Sequence, residues 1–277
     1  MSRPNALGEY LRARRELISP ADAGLRVSGL RRTPGLRREE VATLAGLSAD
    51  YYLRLEQGRD RNPSPQVLQA LARVFRLDAT ATTYLLSLAG PARTRRITRV
   101  EDVATGIRQL LDTINMPAFV ENRMFDVLAA NRLAVTLMPG LKVGMNRLRS
   151  VFLDQEVRDF FPDWEHAIIE IVASFRASIG FEVADPQIGR LVGELSLASE
   201  DFRRLWARHD VVALGGAAPT RMRHPQVGPI ELRREKLPLT GSDGQLLVIY
   251  HPEPSSPSAQ ALALLGSLAS TEFVDHD

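Results

Sequence analysis

Between Arg38 and Gly58 the chain reads REEVATLAGLSADYYLRLEQG, two short apolar stripes of helical period joined by one tight turn. In the first, Val41, Leu44 and Ala45 recur on one side, with Arg38, Glu39, Glu40 and Thr43 facing away. Gly46 stands where a helix ends, and Ser48 can cap the next by accepting a backbone N–H. In the second, Tyr52 and Leu55 share a face, while Ala49, Asp50, Leu53 and Arg54 point elsewhere. Two helices crossing steeply over so short a turn need a small residue at the crossing, a glycine in the turn and an apolar anchor in the corner. Ala42, Gly46 and Tyr52 supply these, which predicts a helix-turn-helix whose second helix projects toward a DNA major groove.

Helical spacing also predicts helices over 7–17, 64–75 and 78–88, so the first ninety residues read as an all-α domain. The segment 19–36 is glycine- and proline-rich and carries Arg26, Arg31 and Arg32. It reads either as a solvated loop or as a strip of phosphate contacts. Beyond the basic stretch PARTRRITR the pattern changes. Helices are predicted over 103–114, 131–138 and 164–179, with further ones opening at Asp185-Pro186 and at Ser199. Apolar runs at 117–121 and 126–130, split by Asn122-Arg123, read as a hairpin. Ile230 and Leu232 alternate with Glu231 and Arg233. Ser242-Asp243-Gly244 is a hairpin turn signal before a buried-strand run at 246–250, and a last helix is predicted over 259–269. Strands at both ends of a helical middle predict one antiparallel sheet covered by helices, an α+β domain. The expected division is a DNA-binding domain at 1–92, a basic linker at 93–102 and a second domain at 103–277.

Charge sharpens that division. Residues 1–99 hold 18 arginines, no lysine and 9 acidic residues, a formal +9. The remainder holds 17 basic and 24 acidic residues, a formal −7. A basic front half suits a polyanion and an acidic back half does not. The 277 residues are 44% hydrophobic, enough for two cores, and contain no cysteine, which excludes disulfides and thiol catalysis. The opening MSRPNALGEYLRARR lacks the apolar core of a signal peptide, and residues 259–269 are too short to span a bilayer. A cytoplasmic protein with no membrane partner is expected.

Chemistry-bearing motifs are sparse. There is no Gly-x-Ser-x-Gly elbow, phosphate loop or dinucleotide fingerprint. The histidines His166, His209, His224, His251 and His276 never pair at i+3 or i+4, so no catalytic site and no metal site is expected. Trp206, His209 and His224, with Arg149, can present donors to a carboxylate at the mouth of an apolar pocket. Each is equally readable as a core or surface residue.

Residues 5–90 resemble the XRE family, and RRTPGLRREEVATLAGLSADYYLRLEQGR resembles its MmyB-like branch. The resemblance implies a lambda-repressor-like bundle of five helices. It places Ser48, Ala49, Asp50, Tyr51 and Arg54 at the DNA-facing start of the recognition helix. Of these, Ala49, Asp50 and Arg54 fall where base edges are read, and Arg38, Arg59 and Arg61 where phosphates are held. The segments VLAANRLA, DWEHAI, LVGELSLASEDFRRLWARHDV, HPQVGPIEL and DGQLLVIYHPEP are similar to the same branch. Its second domain has a PAS-like fold that holds a small fatty-acid-like ligand. The family usually shows Trp where this chain has Ala130, before Asn131, and Arg where it has Met145. The resemblance therefore implies a pocket near Ala130 and Asn131 of altered shape. Double-stranded DNA, an apolar or fatty-acid-like ligand and a second copy of the chain are the expected partners, with no cofactor beyond that ligand. Two other readings stay open: an enzyme acting on a small apolar metabolite with a DNA-binding domain appended, and a second domain that serves only dimerisation.

Overall fold

The computed structural model describes residues 5–25, 31, 33–60, 62–89, 102–180, 185–212, 219–242 and 244–271. Arg26, Arg32, Arg61, Asp243, His276 and residues 93–101 of the expected basic linker lie outside the described residues. The chain forms two compact units.

The first unit contains α1 (Ala6–Leu17), α2 (Arg38–Ala45), α3 (Ala49–Glu56), α4 (Pro65–Val74) and α5 (Ala79–Leu88). All but α2 start where a short polar side chain satisfies an orphan amide. Asn5, Ser48, Ser64 and Asp78 accept the backbone N–H of Gly8, Tyr51, Val67 and Ala81. Gly46 ends α2 at φ 70°, a left-handed conformation that glycine adopts without strain, and Leu47 N–H reaches back to the Ala42 carbonyl at 2.8 Å. Tyr10, Leu11, Leu36, Val41, Tyr52, Leu55, Leu71 and Leu85 form the interior. The stripe expected on α2 is rotated: Val41 and Ala42 are buried, whereas Leu44 is 39% exposed. A helix of eight residues offers barely two turns to its neighbours, and here the small Ala42 fills the contact. Ile179–Ser196 and Arg203–Val212 also belong to this unit.

The second unit is built on a five-stranded antiparallel sheet of order β2-β1-β5-β4-β3. Its strands are β1 (Ala118–Glu121), β2 (Val127–Ala130), β3 (Thr220–His224), β4 (Gly228–Pro238) and β5 (Leu246–His251). Around them run α6 (Thr105–Thr113), α7 (Arg132–Leu137), α8 (Arg147–Leu153), α9 (Gln155–Phe160), α10 (Trp164–Ile179) and α13 (Pro257–Thr271). Between α10 and β3 come α11 (Pro186–Ala198) and α12 (Glu200–Ala207). The anticipated all-α plus α+β architecture is therefore present. β3, α8 and α9 are additions, each too short or too polar to stand out as a periodic run.

Strand alternation sends side chains to two faces. On one, Phe119, Val127, Ile230, Leu232, Val248 and Tyr250 pack with Ala134 and Leu137 of α7, Phe160 of α9 and Leu262 and Leu265 of α13. On the other, Ala118, Val120, Ala129 and Leu247 pack with Val103 and with Leu111 of α6.

Candidate DNA-reading helix and ligand-binding hollows

The first turn of α3 presents Ala49 and Asp50 exposed, followed by the half-buried Tyr51. Ser48 Oγ accepts the Tyr51 N–H at 3.2 Å and so fixes the start of the helix. Arg54 sits one turn on, 43% exposed, ion-paired to Asp50 and lying 5.6 Å from the Tyr51 ring centre. These contacts hold a long, flexible side chain over the helix surface before any base is met. Arg59 is exposed just past the helix, its N–H bonded to the Arg54 carbonyl at 2.9 Å.

Behind this surface is a buried ionic knot that periodicity did not reveal. Glu56 at the end of α3 is fully buried and accepts from Arg15 Nε of α1 at 2.6 Å and from Arg38 Nε of α2 at 2.7 Å. Arg15 also donates to the Leu36 carbonyl at 3.0 Å. Burial pushes the Glu56 carboxyl up, but hydrogen bonds and charge from Arg15 and Arg38 outweigh it and hold the pKa below its ordinary value. Arg38, expected at a phosphate, thus has its Nε committed to Glu56 while its side chain stays 45% exposed. Arg31, from the segment read as loop or phosphate strip, donates twice to Glu40 at 2.7 Å and once to the Gly35 carbonyl at 3.1 Å. That arginine serves the bundle.

The residues anticipated for a ligand are placed variously. Ala130 is half-buried against the sheet core, and Asn131 is buried with its amide spent. Asn131 Oδ1 accepts from Ala118 and Ala134 N–H, and its Nδ2 donates to the Met116 carbonyl at 2.7 Å and the Ile114 carbonyl at 3.2 Å. His224 is buried at the end of β3. Its Nδ1 accepts the Gln226 N–H at 3.2 Å, which leaves Nε2 to donate to the Thr136 carbonyl at 3.0 Å. Arg149 is exposed on α8. Trp206 and His209 belong to the first unit, where the His209 ring lies 6.3 Å from that of Tyr10. Ala130 and Asn131 thus adjoin at the end of β2, within the second unit.

Two hollows among the described residues of the second unit bear on a ligand. The larger, about 730 Å³, is a groove between α6, α7 and α13, lined by Leu111, Ile114, Leu133, Leu262 and Ala263 with Asp112, Asn115, Asn131 and Arg132 among its polar groups. The smaller, about 40 Å³, is walled by Met138, Leu141, Val151, Val157 and Phe160, with Arg147 as its charged member. Arg147 donates to the buried Glu121 at 2.6 Å, and Lys236 Nζ donates to the other Glu121 oxygen at 2.8 Å. Glu121, Arg147 and Lys236 escaped the sequence reading. Their one signal is that β4 continues its inward series Ile230, Leu232 with Arg234 and Lys236.

Among the described residues no helix is long and apolar enough to cross a membrane, and no group of three or more acidic or histidine side chains is placed to hold a metal ion. A family model described as the MmyB-like transcription regulator ligand binding domain matches residues 103–265, and one described as a helix-turn-helix domain matches residues 6–85. Among curated proteins none matches the chain.

Proposed function

The chain belongs to the MmyB-like transcription regulators, and on that premise we propose that it reads its operator through α3 as a homodimer and is controlled by a fatty-acid-like molecule in the groove between α6, α7 and α13. The observation that carries the ligand reading is the groove itself. Its volume of about 730 Å³ lies within the range of roughly 300–1,000 Å³ typical of small-molecule sites. Its leucine, isoleucine and alanine walls suit an aliphatic chain, and Arg132 and Asn115 suit a polar head. Asn131 anchors the wall through its bonds to the backbone. The protein would act in the cytoplasm, binding its ligand without transforming it. A single helix-turn-helix touches few base pairs, so specific affinity calls for two copies on a near-palindromic site. Control then consists of unequal ligand affinity for the DNA-binding and non-binding states.

On the DNA side, Ala49, Asp50 and Arg54 are assigned to base edges, Ser48 and Tyr51 to positioning them, and Arg38, Arg59 and Arg61 to phosphates. Arg54→Ala should cost about 1–3 kcal/mol on the specific site and relax preference at one base position. Arg59→Ala should weaken all sequences alike and lower the salt slope by about one. Titrations of both variants across salt concentrations check this, and an Arg54→Ala protein with unchanged affinity and preference would sink the assignment.

For the groove, native mass spectrometry of the purified full chain would identify a retained ligand, and calorimetry with dodecanoate tests the class. Ala263 is exposed and lines the groove, so Ala263→Trp fills it without disturbing the core. Dodecanoate affinity should fall at least about tenfold, equivalent to 1.4 kcal/mol, with melting unchanged. Equal binding by both proteins would place the ligand elsewhere.

A further inference from the structure

Two stretches from the middle of the chain, Ile179–Ser196 and Arg203–Val212, belong to the helical unit, while Leu197–Phe202 between them belongs to the sheet unit. The division falls inside one short helix, α12. At its start Phe202 is fully buried, its ring 5.2 Å from that of Phe152 of α8 and inclined to it at 82°. Past its end Asp210 meets α1. Asp210 Oδ1 accepts from Arg14 Nη1 at 2.9 Å across 196 residues of sequence, and Asp210 Oδ2 lies 2.9 Å from Arg208 Nε. Val211 beside it is buried.

His209 stands at φ 54°, a left-handed conformation that follows the end of α12 and that a side chain with a Cβ adopts at a cost. Glycine would hold this turn without strain. The histidine ring instead lies edge-on to Tyr10 of α1, 6.3 Å between centres, and Tyr10 lies edge-on to Tyr84 of α5 at 5.3 Å. Strain kept where a strain-free residue would serve points to a role for the ring. The ion pair beside it is only partly dry. The Arg14 and Asp210 side chains are 19% and 24% exposed, and among the described residues the buried Arg14 Nε has no acceptor. A pair of this kind opens at small cost, unlike the dry knot at Glu56.

The neighbours of that pair give it a use. Arg14 grips Asp210, and the next residue, Arg15, grips Glu56 at the end of α3. A pull on residues 208–210 therefore reaches the recognition helix through adjacent residues of α1. We propose that 208–210 is a clasp through which the sheet unit governs DNA reading. Closed on Arg14 and Tyr10, it holds α1 and so fixes α3 for specific sites; opened, it leaves α3 loosely presented. α12, anchored on α8 at Phe202, is the rod that works it. The clasp is the two-state element that regulation of a DNA reader requires, and the inference rests on α3 being that reader.

The test is hydrogen exchange on the full chain. Asp210→Asn should speed amide exchange at least about tenfold in both α1 and α3, and Arg14→Gln should do the same. The double variant should go no further than either single change, because both remove one contact. Phe152→Leu, made in the sheet unit on a half-buried ring, should also speed exchange in α1. Arg221→Gln, which breaks an exposed pair between β3 and β4, should change neither helix. On a duplex that the wild-type chain selects from a random pool, Asp210→Asn should lose at least about tenfold in affinity, or 1.4 kcal/mol, and on unselected duplex it should change less than about twofold. The bound selected duplex should in turn slow exchange at 203–212. Exchange that is unchanged or rises only within 200–212, additive effects of the two pair variants, an untouched α1 in Phe152→Leu, or full affinity of Asp210→Asn for the selected duplex would overturn the proposal. A wild-type chain that selects no duplex would sink the DNA reading instead, and the exchange measurements would still decide the clasp.

Discussion

Glu56→Ala should cost the helical unit about 3–5 kcal/mol, because it leaves a buried cation without its partner. Arg15 is 9% exposed and spends its Nε on Glu56, and no water can replace that carboxylate without opening the packing of α1 on α3. The loss extends beyond one pair. Glu56 joins the ends of three helices, through Arg15 of α1, Arg38 of α2 and its own place on α3. The backbone repeats the tie, since Asn5 Nδ2 donates to the Glu56 carbonyl at 2.7 Å. Removing the side chain should therefore loosen the angle at which α3 is presented, and specific DNA affinity should fall more than nonspecific affinity. Hydrogen exchange resolved over α1 to α5 in the full chain measures the stability. A change below about 1 kcal/mol would mean that Arg15 finds another partner at little cost.

The same knot sets an acid limit. The Glu56 carboxyl is held below its ordinary value of 4.5 in the folded protein. A depressed carboxylate stabilises the fold fully above its unfolded pKa, and this contribution is lost as pH falls through the folded one. The helical unit should thus weaken progressively below about pH 4.5, and Glu56→Gln should flatten that dependence. A Gln variant as acid-sensitive as the wild type would place the acid limit elsewhere.

Glu121→Met should cost the sheet unit a similar amount, about 3–5 kcal/mol, by leaving Arg147 and Lys236 facing each other in a dry interior. The triple replacement of Glu121, Arg147 and Lys236 by Met should recover most of that loss, since well-packed apolar groups of similar size often match or exceed a buried ion cluster in stability. Denaturant unfolding of the three proteins decides the matter. A triple variant no more stable than Glu121→Met would show that the cluster holds the fold together in its own right.

The resemblance to the family implies a larger residue at position 130. Ala130 packs on the core beside Asn131, whose amide is committed to the strand and helix ends around it. A change at 130 can therefore reach the groove wall through Asn131.

Local order was legible in the sequence. The helix-turn-helix followed from Ala42, Gly46, Ser48 and Tyr52, because a crossing, a left-handed turn, a cap and a corner anchor each demand a residue type at a set spacing. The helix starts at Ser64, Asp78 and Asn131 and the β1–β2 hairpin are short-range for the same reason. So is the contrast between a basic front and an acidic back, since charge is counted without knowing the fold. What only the tertiary structure decided are the pairings between distant positions. Arg15 meets Glu56 across 41 residues, and Lys236 meets Glu121 across 115. Periodicity reports which face a side chain takes and says nothing of what lies opposite. A glutamate at the end of α3 and a lysine in β4 therefore read as solvated charges. Both are interior because the packing of other elements closes over them, and that closure also creates the groove between α6, α7 and α13 and the hollow beside Arg147.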